Sequence, residues 1–366
     1  MGSLEVRLIE TSTISASLAD EWQALVSTNA ASGFMQSLSW AEFKRKQGLI
    51  SLHLGIFKDD TLIGGSMLYT PPQNNGGGIL AAPEGPVLPW DNQELARESL
   101  GLIIDFAKTQ AKNLGVSVLR IEPRLAPPPV KLLREFGRAP LDLVPKETLI
   151  IAVDKSQESI LAAMKPKGRY NIGIAQRSLV ETRIESSTQS LNEYVNQFYA
   201  VLCEAGERDG FDVEPLKFFE QLASVLVPAG LAKFLFAEHE GDILSAMLLI
   251  TFGNRATYLY GGVSNYKRKL MGGYALQWTA IQAARESGCK SYDLYGFNNF
   301  CAPDHRYGRF SQFKSRFGGE AIKTIGAQDY FFLDDVTDAF IKIVKETSLL
   351  NTMGPGRSSP VHSPPL

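Results

Sequence analysis

Lys233-Phe-Leu-Phe-Ala237, the polar turn Glu240-Gly241-Asp242, and Ile243-Leu-Ser-Ala-Met-Leu-Leu-Ile250 read as two apolar strands folded about a tight turn. The same pattern stands earlier in the chain as Leu52-His-Leu-Gly-Ile-Phe57, Lys58-Asp59-Asp60 and Leu62-Ile-Gly-Gly-Ser-Met-Leu-Tyr69. After a Gly-rich stretch, each hairpin leads to a helix that ends at a glycine and feeds a strand. In the first half these are Glu94 to Asn113, Gly115, then Val116 to Ile121; in the second, Tyr274 to Ser287, Gly288, then Lys290 to Tyr295. The preserved order predicts an internal duplication, two α/β domains built to one plan. Hairpin, helix and strand are common vocabulary, so two convergent halves could imitate it.

A seam falls at Pro140 to Glu147, beyond which Thr148-Leu-Ile-Ile-Ala-Val153 starts a fresh strand and Ser156 N-caps a helix with Glu158 in its first turn. The segments Pro71 to Pro89 and Pro123 to Pro129 are rich enough in Pro and Gly to predict irregular loops. Beyond Lys345 the chain turns to Ser, Pro and Gly, which predicts a disordered tail over 351–366.

The composition sets outer bounds. A chain of 366 residues fits two domains, and 37 Lys+Arg against 39 Asp+Glu leaves no global field for nucleic acid, so a dedicated DNA partner is not expected. Cys203, Cys289 and Cys301 form no CxxC pair, and His53, His239, His305 and His362 form no i,i+4 pair, which argues against a disulfide framework and a zinc site. No signal pattern opens the chain, and the longest apolar run, Ile243 to Phe252, is short of the roughly 20 residues a membrane span requires. The expected compartment is cytoplasmic.

Residues 258–318 collect glycines, aromatics and cations at the ends of predicted strands, where an α/β domain places its ligand. Lys269-Leu-Met-Gly272-Gly273 opens a helix after a strand, and the exposed N–H groups there suit a phosphate. N-acetyltransferases of the GNAT type carry an Arg/Gln-x-x-Gly-x-Gly/Ala loop at this point to grip coenzyme A. Tyr274 stands where the last small residue of that loop belongs, and its bulk is expected to obstruct the approach of a ligand to the backbone. Farther along the same helix, Tyr274, Trp278 and Ile281 form a core stripe. Lys167, Arg169 and Tyr170, with Arg177 downstream, form a basic and aromatic cluster that suits a nucleotide or phosphorylated sugar, although such charge runs are equally often solvated faces. Phe313-Lys314 lies among Arg306, Arg309 and Arg316 and precedes Phe317-Gly318-Gly319. A lysine so placed can hold a phosphate or stabilise charge that develops during acyl transfer.

Several segments taken together resemble the Fem-type (FemABX) peptidyltransferases. They are Gln36-Ser-Leu-Ser-Trp40, Ala82-Pro-Glu-Gly-Pro-Val87, Lys167-Gly-Arg-Tyr-Asn-Ile172, Glu207-Arg-Asp-Gly-Phe211, Tyr258-Leu-Tyr-Gly-Gly262, Ala275-Leu-Gln-Trp278, Tyr292-Asp-Leu-Tyr-Gly296 and Phe313-Lys314 with Phe317-Gly-Gly319. The resemblance implies an α/β (α+β) fold of two tandem GNAT-like acyltransferase domains facing a cleft. Domain 1 would take residues 1–146 plus about 324–350, the later segment returning to pack on it, and domain 2 residues 147–323. No sustained heptad run marks a coiled-coil arm. The implied activity moves an amino acid from aminoacyl-tRNA to the stem-peptide amine of a peptidoglycan precursor, lipid-linked or UDP-linked, with no cofactor. A lipid-linked acceptor would bring peripheral contact with the inner membrane.

By the same resemblance Phe313 and Lys314 match the reaction centre, with Phe313 expected to hold the ammonium by cation–π contact, while Trp40, Arg208 and Tyr260 match the precursor site. Gly173 and Leu179 depart from the family pattern, which favours a second Arg and a Gly there, and Glu122-Pro123 stands where a member shows Asp-Pro. Two other functions remain open on the sequence: an N-acyltransferase of the same fold using an acyl-CoA or acyl carrier donor, and a non-catalytic precursor-binding protein.

Overall fold

The computed structural model describes residues 3–10, 13–72, 78–298 and 308–332, with the side chains of 308–309 left aside. Cys301, His305, Arg306, the Arg309 side chain, His362 and everything after residue 332, including the expected tail, lie outside the described residues. Within them the chain divides into two compact units, one of residues 3–146 and 324–332, the other Glu147–Lys323.

The first unit runs β1 (Leu4–Leu8), α1 (Ala16–Thr28), α2 (Leu38–Lys46), β2 (Ile50–Lys58), β3 (Thr61–Thr70), β4 (Gly78–Pro83), α3 (Gln93–Leu114), β5 (Val116–Glu122) and β6 (Gly137–Arg138). The second runs β7 (Glu147–Ala152), α4 (Gln157–Ala163), α5 (Pro166–Arg177), β8 (Glu181–Glu185), α6 (Leu191–Asp209), α7 (Leu216–Leu226), β9 (Ala232–His239), β10 (Asp242–Phe252), β11 (Arg255–Val263), α8 (Gly272–Glu286), β12 (Ser291–Asp293), α9 (Gly308–Lys314) and β13 (Glu320–Lys323). One further strand, β14 (Gln328–Phe331), pairs antiparallel with β5 and so belongs to the first sheet.

Each unit holds a seven-stranded mixed sheet, ordered β1-β2-β3-β4-β5-β14-β6 in the first and β13-β7-β12-β11-β10-β9-β8 in the second. Position by position the pairing senses agree. One parallel pair, β4 with β5 or β11 with β12, sits among antiparallel neighbours in each. The hairpins agree in detail as well. Asp59-Asp60 and Glu240-Gly241 are two-residue turns with both residues left-handed, the geometry that matches strand twist. Each hairpin also carries a register shift, at Ile56/Phe57 and at Ile243/Ser245.

Local sequence accounts for the crossover helices. The Asn92 side chain accepts the Leu95 N–H at 3.1 Å to start α3, and Gly115, at φ 64°, closes it by returning its N–H to Ala111 and Lys112 carbonyls. The buried faces build one core per unit, with Leu54, Leu68, Leu80, Leu100, Ile103 and Leu119 in the first and Ile151, Leu235, Leu249, Trp278, Ile281 and Tyr292 in the second.

One sequence expectation fails. The stretch Pro71 to Pro89, read as irregular, contains β4, all six of whose residues are buried. Gly-Ile-Leu-Ala-Ala is an apolar run that a central parallel strand tolerates on both faces, and the proline closes the strand instead of interrupting it.

Candidate active site

The chemistry of the second unit gathers where its two parallel strands part. β11 and β12 pair only through Arg255↔Ser291, Ala256↔Tyr292 and Thr257↔Asp293; β11 then continues along β10 as far as Val263, while the chain after Asp293 leaves it. Asp293 is fully buried. Its Oδ1 accepts the Tyr295 N–H at 2.9 Å and pairs with the Thr148 hydroxyl from β7. A carboxylate bonded to the N–H two residues on is an Asx turn, and it holds Tyr295 (φ 46°) and Gly296 (φ 64°) in left-handed conformation.

Lys314 arrives at this turn from the end of α9. The side chain is 1% exposed. Its ammonium donates to the Tyr295 carbonyl and, at 2.7 Å, to the Gly296 carbonyl, and stands 5.7 Å from the centroid of the Tyr258 ring on β11. Burial pulls the Lys314 pKa down to about 7, against an opposing pull from the Asp293 charge. A fully buried lysine whose pKa is pulled toward neutrality by burial is a functional-site signal with a physical cause.

The support beneath it follows from the glycines and aromatics of Phe313-Lys-Ser-Arg-Phe-Gly-Gly319. The Phe313 ring meets Tyr274 and Phe317 edge-on, each at 5.1 Å. The Phe313 ring packs in the core, and the Tyr258 ring also faces the ammonium. Gly318 (φ 77°) and Gly319 (φ 94°) have left-handed backbone, and a Cβ on either would lie 2.6 Å from a main-chain oxygen, of Ala163 or Ile150 respectively. On the other side the Lys165 N–H donates to the Arg316 carbonyl at 3.0 Å and Lys165 Nζ to the Ser315 hydroxyl at 3.1 Å, tying the start of α5 to this segment.

The remaining sequence-derived residues are dispersed. Lys167 and Tyr170 are exposed on α5, Tyr170 at 63%. Arg169 is exposed but bends back to the Met164 carbonyl, with Leu161 and Ala162 carbonyls at 3.5 and 3.4 Å, so it caps α4. Lys269 is exposed on the turn before α8. Arg208, at the end of α6, grips Asp209 with two nitrogens (2.9 and 2.5 Å) and the Val263 carbonyl at 2.6 Å, fastening that helix to β11. Tyr260 is buried against Phe218 and Phe219 at 6.1 and 5.2 Å.

Trp40 belongs to the first unit and is fully buried between Phe34 and Phe43, each 5.0 Å away, with Lys44 Nζ 5.1 Å from its ring and its indole N–H unpartnered. The helix opening at Gly272 also differs from expectation. A Cβ there would meet the Leu244 Cβ at 2.6 Å, so the glycine admits a core contact. Tyr274 turns inward to the Phe313 cluster instead of standing over the turn.

Sequence reasoning quoted Asp293, Thr148 and Tyr258 within their segments but gave them, and the two carbonyls, no part in a site. Asp293 carried a usable sign, an Asp two residues before an aromatic-Gly pair at a strand end. Main-chain carbonyls leave none.

In fold the chain is GNAT-like and FemX-like, with two β-sheet domains. A crystal structure of FemX superposes with TM-score 0.77 at 21% identity over 89% of this chain and 97% of that one. A tandem GNAT protein from the clavulanic acid biosynthesis pathway superposes with TM-score 0.56 at 12% identity over 91% and 100%. The chain belongs to the FemAB family, whose model matches residues 18–127 and 228–332, more than half its length. It is thus an aminoacyltransferase that joins an amino acid from aminoacyl-tRNA to a peptidoglycan precursor. Similar curated proteins include the lipid II:glycine glycyltransferases of Staphylococcus epidermidis RP62A, 22% identical over 84% of this chain and 90% of that one, and of Staphylococcus aureus MRSA252, 23% identical over 85% and 90%. Among the described residues no helix is long and apolar enough to cross a membrane.

Proposed function

We propose that Lys314 supplies the positive charge that the transfer reaction requires, at the point where β11 and β12 part. The stem-peptide amine attacks the carbonyl carbon of the aminoacyl ester; a C–N bond forms and the carbonyl oxygen becomes an oxyanion. The ester C–O bond then breaks, and the ribose oxygen leaves with the proton that the amine loses. An ester of this kind already favours aminolysis, so the protein's part is alignment and charge stabilisation. The observation that carries the reading is the enclosed ammonium held by the Tyr295 and Gly296 carbonyls, since low dielectric makes a fixed charge worth far more than in water.

The domains are taken as tandem GNAT-like lobes, residues 1–146 plus about 324–350 and residues 147–323 without a coiled-coil arm, a reading supported by the matching strand orders. Lys167 and Tyr170 are assigned to the tRNA 3′ end, an exposed aromatic for a base beside a cation for phosphate. Arg169 is assigned to the same end by resemblance alone. By resemblance Trp40, Arg208 and Tyr260 are assigned to the precursor, whose lipid-linked form is favoured by the names of the staphylococcal relatives, and Lys269 to a substrate phosphate at the turn before α8. The reaction is assigned to the cytoplasm, with peripheral contact at the inner membrane.

The test is incubation with a mixture of charged tRNAs and either lipid-linked or UDP-linked precursor, reading mass gain on the acceptor. Lys314→Met should lower transfer about tenfold or more while precursor binding survives. Undiminished transfer by that variant would remove Lys314 from the centre.

A further inference from the structure

We propose that Asp293 is the positioning residue of the reaction: its carboxylate builds the Tyr295-Gly296 turn whose carbonyls seat the Lys314 ammonium, and its charge keeps that ammonium protonated. The inference rests on the reading of Lys314 given above and extends it to a residue that touches no reacting atom.

Two independent features point to Asp293. The first is geometric. A tyrosine at φ 46° is strained, and such backbone persists only where its surroundings enforce it. Here the enforcing group is the Asp293 carboxylate, which accepts the Tyr295 N–H at 2.9 Å and is itself steadied by the Thr148 hydroxyl. Released from that turn, the two carbonyls would no longer converge on Nζ.

The second is electrostatic. Among the described residues, the titratable groups on the elements packed about Lys314 include Tyr258 on β11, Tyr292 and Asp293 on β12, Tyr295 in the turn, and Tyr274 on α8 with Arg316 beside it. Burial raises the pKa values of Tyr258, Tyr274 and Tyr292, which keeps those three neutral. Among the described residues Asp293 is the charge that favours protonated Lys314 against its burial. A buried carboxylate that only closed a turn could be an asparagine, which makes the same Asx turn without charge. The aspartate is therefore informative.

Asp293→Asn separates turn from charge, and Asp293→Ala removes both. The Lys314 ammonium is followed directly by NMR of 13C-lysine-labelled full-length protein, its signal assigned with Lys314→Met, beside the pH profile of transfer. Asp293→Asn should lower the Lys314 titration midpoint by about one to three pH units. The alkaline limb of kcat should fall by the same amount, with KM for the precursor within about twofold of wild type. A structural role alone would lower activity equally at every pH and leave the midpoint in place; that result overturns the proposal.

Should Asp293→Asn fail to fold, Asp293→Glu serves. It keeps the charge but misplaces it, so the expected result is a displaced midpoint, and an unmoved one overturns the proposal. If the midpoint moves while Lys314→Met still transfers at the wild-type rate, the coupling stands and the catalytic reading of Lys314 falls. If Lys314→Met is inactive and the midpoint does not move, only the inference about Asp293 falls.

Discussion

Replacing Lys314 with Met removes a buried charge while keeping most of the buried stem, and its effect on stability should depend on pH in a definite direction. In the folded chain the Lys314 pKa is about 7 against an ordinary 10.5. Between those values the unfolded chain holds a proton that the folded chain has released, so wild-type stability rises with pH across the window. The full span is worth roughly 5 kcal/mol at about 1.4 kcal/mol per pKa unit, and roughly 2 kcal/mol of it accrues between pH 7 and pH 9.

Lys314→Met has no such proton, so the stability of the wild type relative to the variant should climb by that amount over those two pH units and flatten below pH 6. Urea titrations at each pH, read by hydrogen exchange and mass spectrometry on peptides from β10 and β11, report the unit concerned. A stability difference that stays constant from pH 6 to pH 9 would mean that Lys314 keeps an ordinary pKa. Burial would then not have displaced it, contrary to the expected shift.

Two further outcomes concern the first unit. Arg120 and Asp329 form a bidentate pair, both bonds 2.7 Å, with side chains 0% and 2% exposed, and it fastens β14 to β5; Asp329→Ala should cost about 3–5 kcal/mol, measured as a lower urea midpoint for peptides of β5. His53 is buried against Trp22, neither ring nitrogen has a hydrogen-bond partner, and burial, with a smaller push from Arg45, lowers its pKa to about 3. The unfolded chain binds that proton below its ordinary value of 6.5 and the folded chain does not, so His53 makes stability fall as pH drops from 6.5 to 5 by roughly 2 kcal/mol. The His53→Phe variant should lack that component, and the His53 imidazole NMR signal should not titrate above pH 5.

Much of the fold was legible because it depends on local rules. The two hairpins and the glycine-ended helices follow from alternation, turn chemistry and left-handed caps, and observed limits such as Gly272–Glu286 differ from the expected Tyr274 to Ser287 by one or two residues. β4 was hidden because its flanks are rich in Pro and Gly, whereas its strand character comes from neighbours on both sides. The site was legible only in part. Lys314 stood out by its surroundings, but the bonds that Arg169 and Arg208 make in the fold depend on carbonyls and a carboxylate brought near by folding. An arginine that caps a helix and one that meets a phosphate look alike in sequence.

The two units share a strand plan but end its parallel pair differently. Each parallel pair ends beside a carboxylate: Pro83 opposite Glu122 in the first sheet, Thr257 opposite Asp293 in the second. In the first unit the Glu122 oxygens accept the Leu143 and Val144 N–H groups, each at 2.8 Å, and burial, reinforced by Asp142, still raises its pKa to about 8. That strand end is closed by main chain, and β4 stays paired with β5 to its last residue. In the second unit the parallel strands part, the carboxylate is turned to hold a strained corner, and a lysine occupies the space beside it. The Asp293 charge offsets part of the cost of burying the Lys314 ammonium. On one plan of strands, a difference of ending thus separates a carboxyl that braces main chain from one that holds a turn beneath a buried lysine.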